Sequence, residues 1–239
     1  MYFTNINQKN TYYEIVNRKI ILTKDGSSSI FLEEINEHYH SYFGALQESL
    51  HIFIEAGLCS NLLSCLEEIS ILEVGFGTGL NALLTYFKAT ELHKKIKYET
   101  VELYPLTSQE IEQLNYPSLL PYSNAKEIFT TLHNCKWDEK QMITENFSLH
   151  KRHTSALNAD YPSKNFDLIY FDAFSPEVQP ELWGKELFES IYKSMKEESI
   201  LLTYCTKGSV KKTLKEIGFL IEKLPGPAGK REILRGRKC

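Results

Sequence analysis

The sequence predicts an α/β protein built on a mainly parallel sheet with helices on both faces. Three observations carry this. Apolar strand-like runs alternate with amphipathic helical runs from about residue 67 onward. A glycine-rich turn joins the first of these strands to the first of these helices. A chain of 239 residues, 42% hydrophobic and 24% charged, is long enough to bury one large α/β core with a small added lobe.

The elements follow in order. "YYEIVNRKIILTKDGSSSIFLEE" reads as two strands around a turn at Asp25-Gly26. "YHSYFGALQESLHIFIEAGLCSNLLSCL" carries Leu46, Leu50, Phe53 and Ile54 at helical spacing, and Gly57 is read as its stop. Residues 1–66 are therefore expected to form an N-terminal extension, a β-hairpin plus helix, ahead of a main domain at 67–239. In that domain "ISILEVG", "KIKYETVEL", "NFSLHKRHT", "FDLIYFDAF" and "SILLTYC" are the strands. "GLNALLTYFKAT", "LTSQEIEQL", "PELWGKELFESIYKSM" and "GSVKKTLKEIG" are the helices. "FLIEKLPGPAGKREILRG" reads as a closing antiparallel hairpin at the sheet edge. Residues 115–140 give no clear period.

Bulk properties exclude several classes. No apolar run approaches the 18 residues of a membrane span, and the first residues lack the basic-then-apolar layout of a signal peptide. A cytoplasmic protein is expected. Cys59, Cys65, Cys135, Cys205 and Cys239 are odd in number and scattered. They read as reduced thiols, with no zinc or other metal site. The net charge is −4 but unevenly placed. Lys207 to Cys239 holds ten Lys/Arg and three Glu, a net of +7, while the residues before it sum to −11. A basic end on an acidic body suits a phosphate-bearing partner, or else a solvated helix face.

"ILEVGFGTGLNALL" places glycines at 75, 77 and 79. They permit a tight turn and a close backbone approach to a ligand at a helix N-terminus. The dinucleotide fingerprint needs glycine at 80, where Leu80 stands. The pattern is instead E-x-G-x-G-x-G, which resembles the nucleoside-binding loop of class I S-adenosylmethionine-dependent methyltransferases, with their Rossmann-like sheet. Glu73 is positioned to attract a methionine ammonium, directly or through water. Glu102, ending the next strand, is positioned to accept hydrogen bonds from two ribose hydroxyls.

"FDLIYFDAFSPEVQPELW" runs from a buried strand into an acid, an aromatic and a proline. Asp172 is either a turn cap or the centre of a site. Ligands in open α/β sheets bind outside the carboxyl ends of the strands, where strand order reverses. A carboxylate there can orient an alkylamine and help accept its proton as it is methylated, since such an amine is mostly protonated at neutral pH.

These segments, with "YHSYFGALQESLHIFI", "VELYPL" and "GPAGKREILRG", resemble the methyltransferase domain of the bifunctional tRNA 5-methylaminomethyl-2-thiouridine biosynthesis protein and its stand-alone relatives. The resemblance spans about residue 20 to the end. It implies S-adenosyl-L-methionine as cofactor, tRNA as partner and N-methylation of 5-aminomethyl(-2-thio)uridine at the wobble position. The FAD-dependent oxidoreductase domain of the bifunctional protein has no counterpart here, so another enzyme is expected to supply the aminomethyl group. By position, Glu73, Gly75, Gly77, Thr78, Gly79, Asn81 and Glu102 would hold the cofactor and Asp172 would face the acceptor amine. Phe174 and Pro176 would shape the acceptor pocket, and Lys230 and Arg231 would lie at its mouth to meet tRNA phosphate. Relatives carry an acid near the end of strand three. Here Thr154 takes that place beside the adenine, with Asp160 following. Two other readings remain at this point: a polyamine aminopropyltransferase, and a non-catalytic RNA-binding protein with the same fold.

Overall fold

The computed structural model describes residues 17–239. Residues 12–16 of the expected first strand, and the leading stretch read for a signal peptide, lie outside them. Two sheets are present. The smaller contains β1 (Arg18–Leu22), β2 (Ser28–Leu32) and β3 (Glu37–His38) in antiparallel order. The turn between β1 and β2 is fixed by Asp25, whose carboxylate accepts from the Ser27 and Gln47 backbone N–H groups and the Thr23 hydroxyl.

Helix α1 begins at Ala45–Ser49 and continues with π-type hydrogen bonding through Leu50–Leu58. It ends at Leu58, one residue beyond the expected stop at Gly57. Gly57 is buried in the last turn, and a Cβ there would lie 3.3 Å from the Tyr170 ring and 3.6 Å from Leu168 and Leu202. Its small size lets α1 approach the central sheet closely, and Phe53 packs on Tyr170 at 5.0 Å between ring centroids.

The central sheet follows from β4 (Glu68–Val74), α2 (Leu80–Glu91), β5 (Lys95–Glu102), α3 (Ser108–Glu112), α4 (Tyr116–Leu119), α5 (Ala125–Asn134), β6 (Lys140–Thr144) and β7 (Phe147–His153). It continues with β8 (Phe166–Phe171), α6 (Lys185–Ser194), β9 (Met195–Thr203), α7 (Gly208–Ile217), β10 (Leu220–Pro225) and β11 (Glu232–Arg237). The strand order is β10-β11-β9-β8-β4-β5-β7-β6. β7, β5, β4, β8 and β9 are mutually parallel, and β6 and β11 are antiparallel to their neighbours. The expected closing hairpin is β10–β11, with Pro225 facing Glu232 at its loop end.

The stretch 115–140 contains a regular helix, α5, with Ile128, Phe129 and Leu132 on its buried side. β6 then adds an antiparallel strand at the edge beyond β7. The helix expected over "PELWGKELFESIYKSM" is divided at Gly184, where a 3₁₀ turn (Pro180–Trp183) gives way to α6. Both faces of the sheet are covered. One core gathers Ile71, Tyr98, Tyr170 and Leu202 under α1, α2 and α5. The other gathers Leu72, Phe171, Phe188 and Leu201 under α6 and α7. β8 is buried along its whole length, including Asp167, which accepts from the Ser70 N–H and pairs with Lys196, both at 2.8 Å. No helix among the described residues is long and apolar enough to cross a membrane.

The order reverses between β4 and β8. Successive connections lead from β4 outward through β5 and β7 on one side, and from β8 through β9 on the other. The crevice beyond the carboxyl ends of these two strands is the expected ligand position.

Candidate active site

A cavity of about 1090 Å³ opens at that crevice. The segments that follow the parallel strands form its walls. Gly75, Phe76, Gly77 and Thr78 come from the end of β4, and Glu102 and Tyr104 from β5. Thr154 to Asn158 follow β7, Asp172 to Phe174 follow β8, and Tyr204 follows β9. The N-terminal region closes the remaining side with Tyr39, His40, Tyr42 and Glu48.

The glycine loop is shaped by close packing. Gly75 has φ +93°, and a Cβ there would lie 2.7 Å from the Asp172 carbonyl oxygen. Only glycine lets the ends of β4 and β8 approach this closely. The Gly77 N–H donates to Glu102 Oε2 at 3.0 Å, and the Tyr104 N–H donates to Oε1 at 2.8 Å. Glu102 is thereby fixed at the cavity edge. A carboxylate has about four lone-pair sites, so capacity remains for hydroxyl donors from a ligand. Behind the loop, neutral His133 donates from Nε2 to the Thr78 carbonyl at 3.1 Å, and its ring occupies the space a Gly79 side chain would need. Burial pushes His133 down to about 4. Lys151, almost fully buried, donates to the His133 carbonyl at 2.6 Å and lies 4.7 Å from the Trp137 ring. Burial lowers this lysine to about 8.

Asp172 lines the cavity and accepts from Asn81 Nδ2 at 2.9 Å. Burial is the main cause that raises its carboxyl, to about 7. The Glu48 charge adds to the rise, and the Asn81 bond and Lys230 oppose it. Glu48 accepts from the Ser41 N–H at 2.7 Å and is ion-paired with Lys230. The Lys230 ammonium also lies 4.2 Å from the Tyr204 ring, whose hydroxyl donates to the Ala173 carbonyl at 2.9 Å. Phe174 meets Tyr39 edge-on at 5.0 Å, and its backbone is held by Gln179 and by Trp183 Nε1–H.

Most of the residues singled out from the sequence converge here. Gly75, Gly77, Thr78, Asn81, Glu102, Thr154, Asp172, Phe174 and Lys230 all line the one cavity. Others are placed differently. Glu73 is fully buried, and its carboxyl lies behind the cavity wall near Tyr98, Thr100 and Asn81. Burial, reinforced by the Asp172 charge, raises it well above the usual carboxylate range. Its carboxyl therefore does not line the cavity in which it is expected to attract a methionine ammonium, directly or through water. Gly79 serves as the left-handed residue that starts α2. Pro176 and Arg231 line an adjoining cavity of about 340 Å³ together with Lys207. Lys230 lines both cavities and is ion-paired with Glu48. Asp160 is exposed and gives only its backbone carbonyl, to Arg152.

The basic C-terminal region is also less free than its +7 suggests. Lys207, Lys212, Lys223, Lys230, Arg235, Arg237 and Lys238 each make an ion pair. Sequence reasoning missed Glu48 and Tyr204, and noted Tyr39-His40 only as a pair shared with polyamine aminopropyltransferases. Tyr39, His40 and Glu48 lie in "YHSYFGALQESL", a segment that carries the resemblance without marking any of them, and Tyr204 lies at the end of "SILLTYC".

A family model described as S-adenosyl-L-methionine-dependent methyltransferase matches residues 126–239. Over 92–93% of its length the chain matches the tRNA 5-methylaminomethyl-2-thiouridine biosynthesis bifunctional protein MnmC. It is 25% identical to that of Polaromonas naphthalenivorans and 29% identical to that of Burkholderia thailandensis. A crystal structure of MnmC2 from Aquifex aeolicus superposes with a TM-score of 0.77 at 25% identity. The match covers 96% of this chain and 74% of that one. The chain is therefore similar over nearly its whole length to the MnmC bifunctional proteins and to MnmC2. It spans about a third of the length of the curated MnmC proteins, 36% and 35% of the two named. The matching family model is one of S-adenosyl-L-methionine-dependent methyltransferases, which gives S-adenosyl-L-methionine as the cofactor.

Proposed function

We propose that this protein transfers a methyl group from S-adenosyl-L-methionine to the amine of 5-aminomethyl(-2-thio)uridine at the wobble position of tRNA. The observation that carries the reading is one cavity lined by both the glycine loop with Glu102 and the carboxyl of Asp172. The first suits a nucleoside cofactor, the second an amine acceptor. The names of the MnmC relatives supply the tRNA nucleoside.

The residues present fit the cofactor. The positive-φ glycines keep side chains out of the loop, and Glu102 is oriented by two backbone donors with acceptor capacity to spare. Gly75, Gly77, Thr78 and Asn81 would line its amino-acid end, Glu102 its ribose, and Thr154 with Ala156 and Leu157 its base. When bound, it supplies an electrophilic methyl group on a sulfonium.

The protein's own contribution is alignment and proton management. The acceptor ammonium releases one proton to solvent before transfer, and the neutral amine, which alone has a lone pair, meets Asp172, whose carboxyl burial raises to about 7. In its ionised form Asp172 accepts a hydrogen bond from the amine and directs its lone pair. As the N–C bond forms, the amine becomes more acidic and its proton can pass to the carboxylate. Asn81 holds one carboxylate oxygen, leaving the other for the amine. Phe174 and Tyr39 form an apolar wall for the acceptor base. Holding both reactants in line supplies much of the rate.

The test is incubation with S-adenosyl-L-methionine and tRNA from cells lacking this protein, followed by nucleoside mass spectrometry. The expected product is 5-aminomethyluridine, with or without 2-thiolation, heavier by one methyl group. A methyl group on any other position would refute the acceptor assignment.

A further inference from the structure

The mouth of the cavity carries two exposed aromatic side chains, Tyr42 at 53% and Phe43 at 44% exposure. Large exposed aromatics side by side are uncommon without a partner. Their loop is rigidly built. The Tyr42 carbonyl accepts from the Lys24 N–H at 2.9 Å, the Ser41 N–H is held by Glu48, and the Phe43 N–H donates to Ser41 Oγ at 3.2 Å. Gly44 follows with φ +157°, packed so tightly on Asp25 that a Cβ would overlap its carboxyl group. The aromatics are therefore presented by a fixed scaffold.

The pair also bridges the two sides of the rim. The Phe43 ring packs over Gly229, where a Cβ would lie 2.2 Å from Phe43 Cδ2. That contact sets the loop carrying Lys230, paired inward with Glu48, and Arg231, which is exposed. On the outer side the Lys24 ammonium lies 4.6 Å from the Phe43 ring and 5.7 Å from the Tyr42 ring. Two π faces thus stand at the entrance, flanked by Lys24 and by Arg231, which makes no ion pair among the described residues.

We propose that Tyr42 and Phe43 form a stacking platform for unpaired RNA bases flanking the acceptor uridine, with Lys24 and Arg231 meeting the adjoining phosphates. The inference rests on the tRNA reading and deepens it. Every base offers a π face, so such a platform selects a single-stranded loop over a duplex without reading its sequence. Paired bases have no free face to give. Tyr42 lines the cavity as well as the rim, so a base stacked on it would adjoin the nucleoside inserted below.

The test compares two acceptors with the full-length protein: an anticodon stem-loop RNA bearing 5-aminomethyluridine, and the free 5-aminomethyluridine nucleoside. Stacking contributes about 1–3 kcal/mol per base. Tyr42→Ala is therefore expected to raise KM for the stem-loop roughly 5- to 150-fold. The rise for the stem-loop should exceed the change for the free nucleoside, whose cavity Tyr42 also lines, by about fivefold or more, and Tyr42→Trp should restore the stem-loop value. Lys24→Gln should flatten the salt dependence of stem-loop binding by about one unit of slope. Equal changes for both acceptors, or no change for either, would overturn the platform while leaving the tRNA reading standing. A wild-type protein that methylates neither acceptor would defeat both.

Discussion

Asp172→Asn should make the protein more stable above neutral pH. The side chain keeps its size, and the Asn81 amide can still donate to the oxygen of the new carboxamide. What disappears is a carboxylate held where its charge is disfavoured. In the fold the carboxyl titrates at about 7, against 3.8 for an unperturbed Asp. The folded pKa is raised, so the stabilising contribution is complete below about pH 4. It is lost as the pH rises through the folded value. A displacement of about three units corresponds to at most about 4 kcal/mol once the group is fully ionised in both states. Asp172 lines an open cavity, and screening by water there lowers the expected gain to roughly 1–3 kcal/mol. For a chain of this length that is a rise in Tm of about 3–10 °C. The assay is urea denaturation of both proteins across pH 4 to 9, followed by tryptophan fluorescence. The difference between them should be near zero at pH 4, grow through pH 5–7 and level off above pH 8. A variant no more stable than the parent at pH 8, or a difference that does not change with pH, would refute the reasoning.

Three further outcomes are expected. Glu73→Gln keeps the size of a side chain buried behind the cavity wall, so the affinity for S-adenosyl-L-methionine measured by calorimetry should change less than threefold; a tenfold loss would mean that Glu73 reaches the cofactor's ammonium as an anion. Gly75→Ala would press its Cβ against the Asp172 carbonyl in a left-handed conformation, and a loss of about 2–4 kcal/mol in denaturation is expected; an unchanged midpoint would mean that the two strand ends separate freely. Glu102→Ala removes the acceptor oriented by Gly77 and Tyr104, and cofactor affinity should fall at least tenfold with little change in Tm, whereas intact affinity would place the ribose elsewhere.

The parallel sheet and the place of the site are legible because their signals are local. Strand runs, the glycine triplet and an acid at a strand end each occur within a dozen residues. α5 escapes because its surroundings are polar and interrupted, with Pro117, Pro121 and the "YSNAK" turn before it. Its apolar residues become a stripe only against α2 and Tyr116. Gly57 reads as a helix stop because glycine usually ends helices. Its buried position beside Tyr170 depends on a strand more than a hundred residues later. The same distance explains Glu48 and Lys230, whose pairing across the cavity wall has no sequence signature. Glu73 shows the opposite case. Its motif is visible in the sequence, but only the fold reveals that its carboxyl lies behind the wall.

Asp172 is taken to face the acceptor amine in the same cavity that binds the cofactor. Single-turnover methyl transfer to tRNA bearing 5-aminomethyluridine, with wild-type protein and Asp172→Asn, tests this most directly when the cofactor Kd is measured alongside. The expected result is a rate lowered by about 10²–10⁴-fold with cofactor Kd unchanged and methyl found only on the C5 aminomethyl nitrogen of the wild-type product. A variant that transfers methyl at the wild-type rate would contradict it.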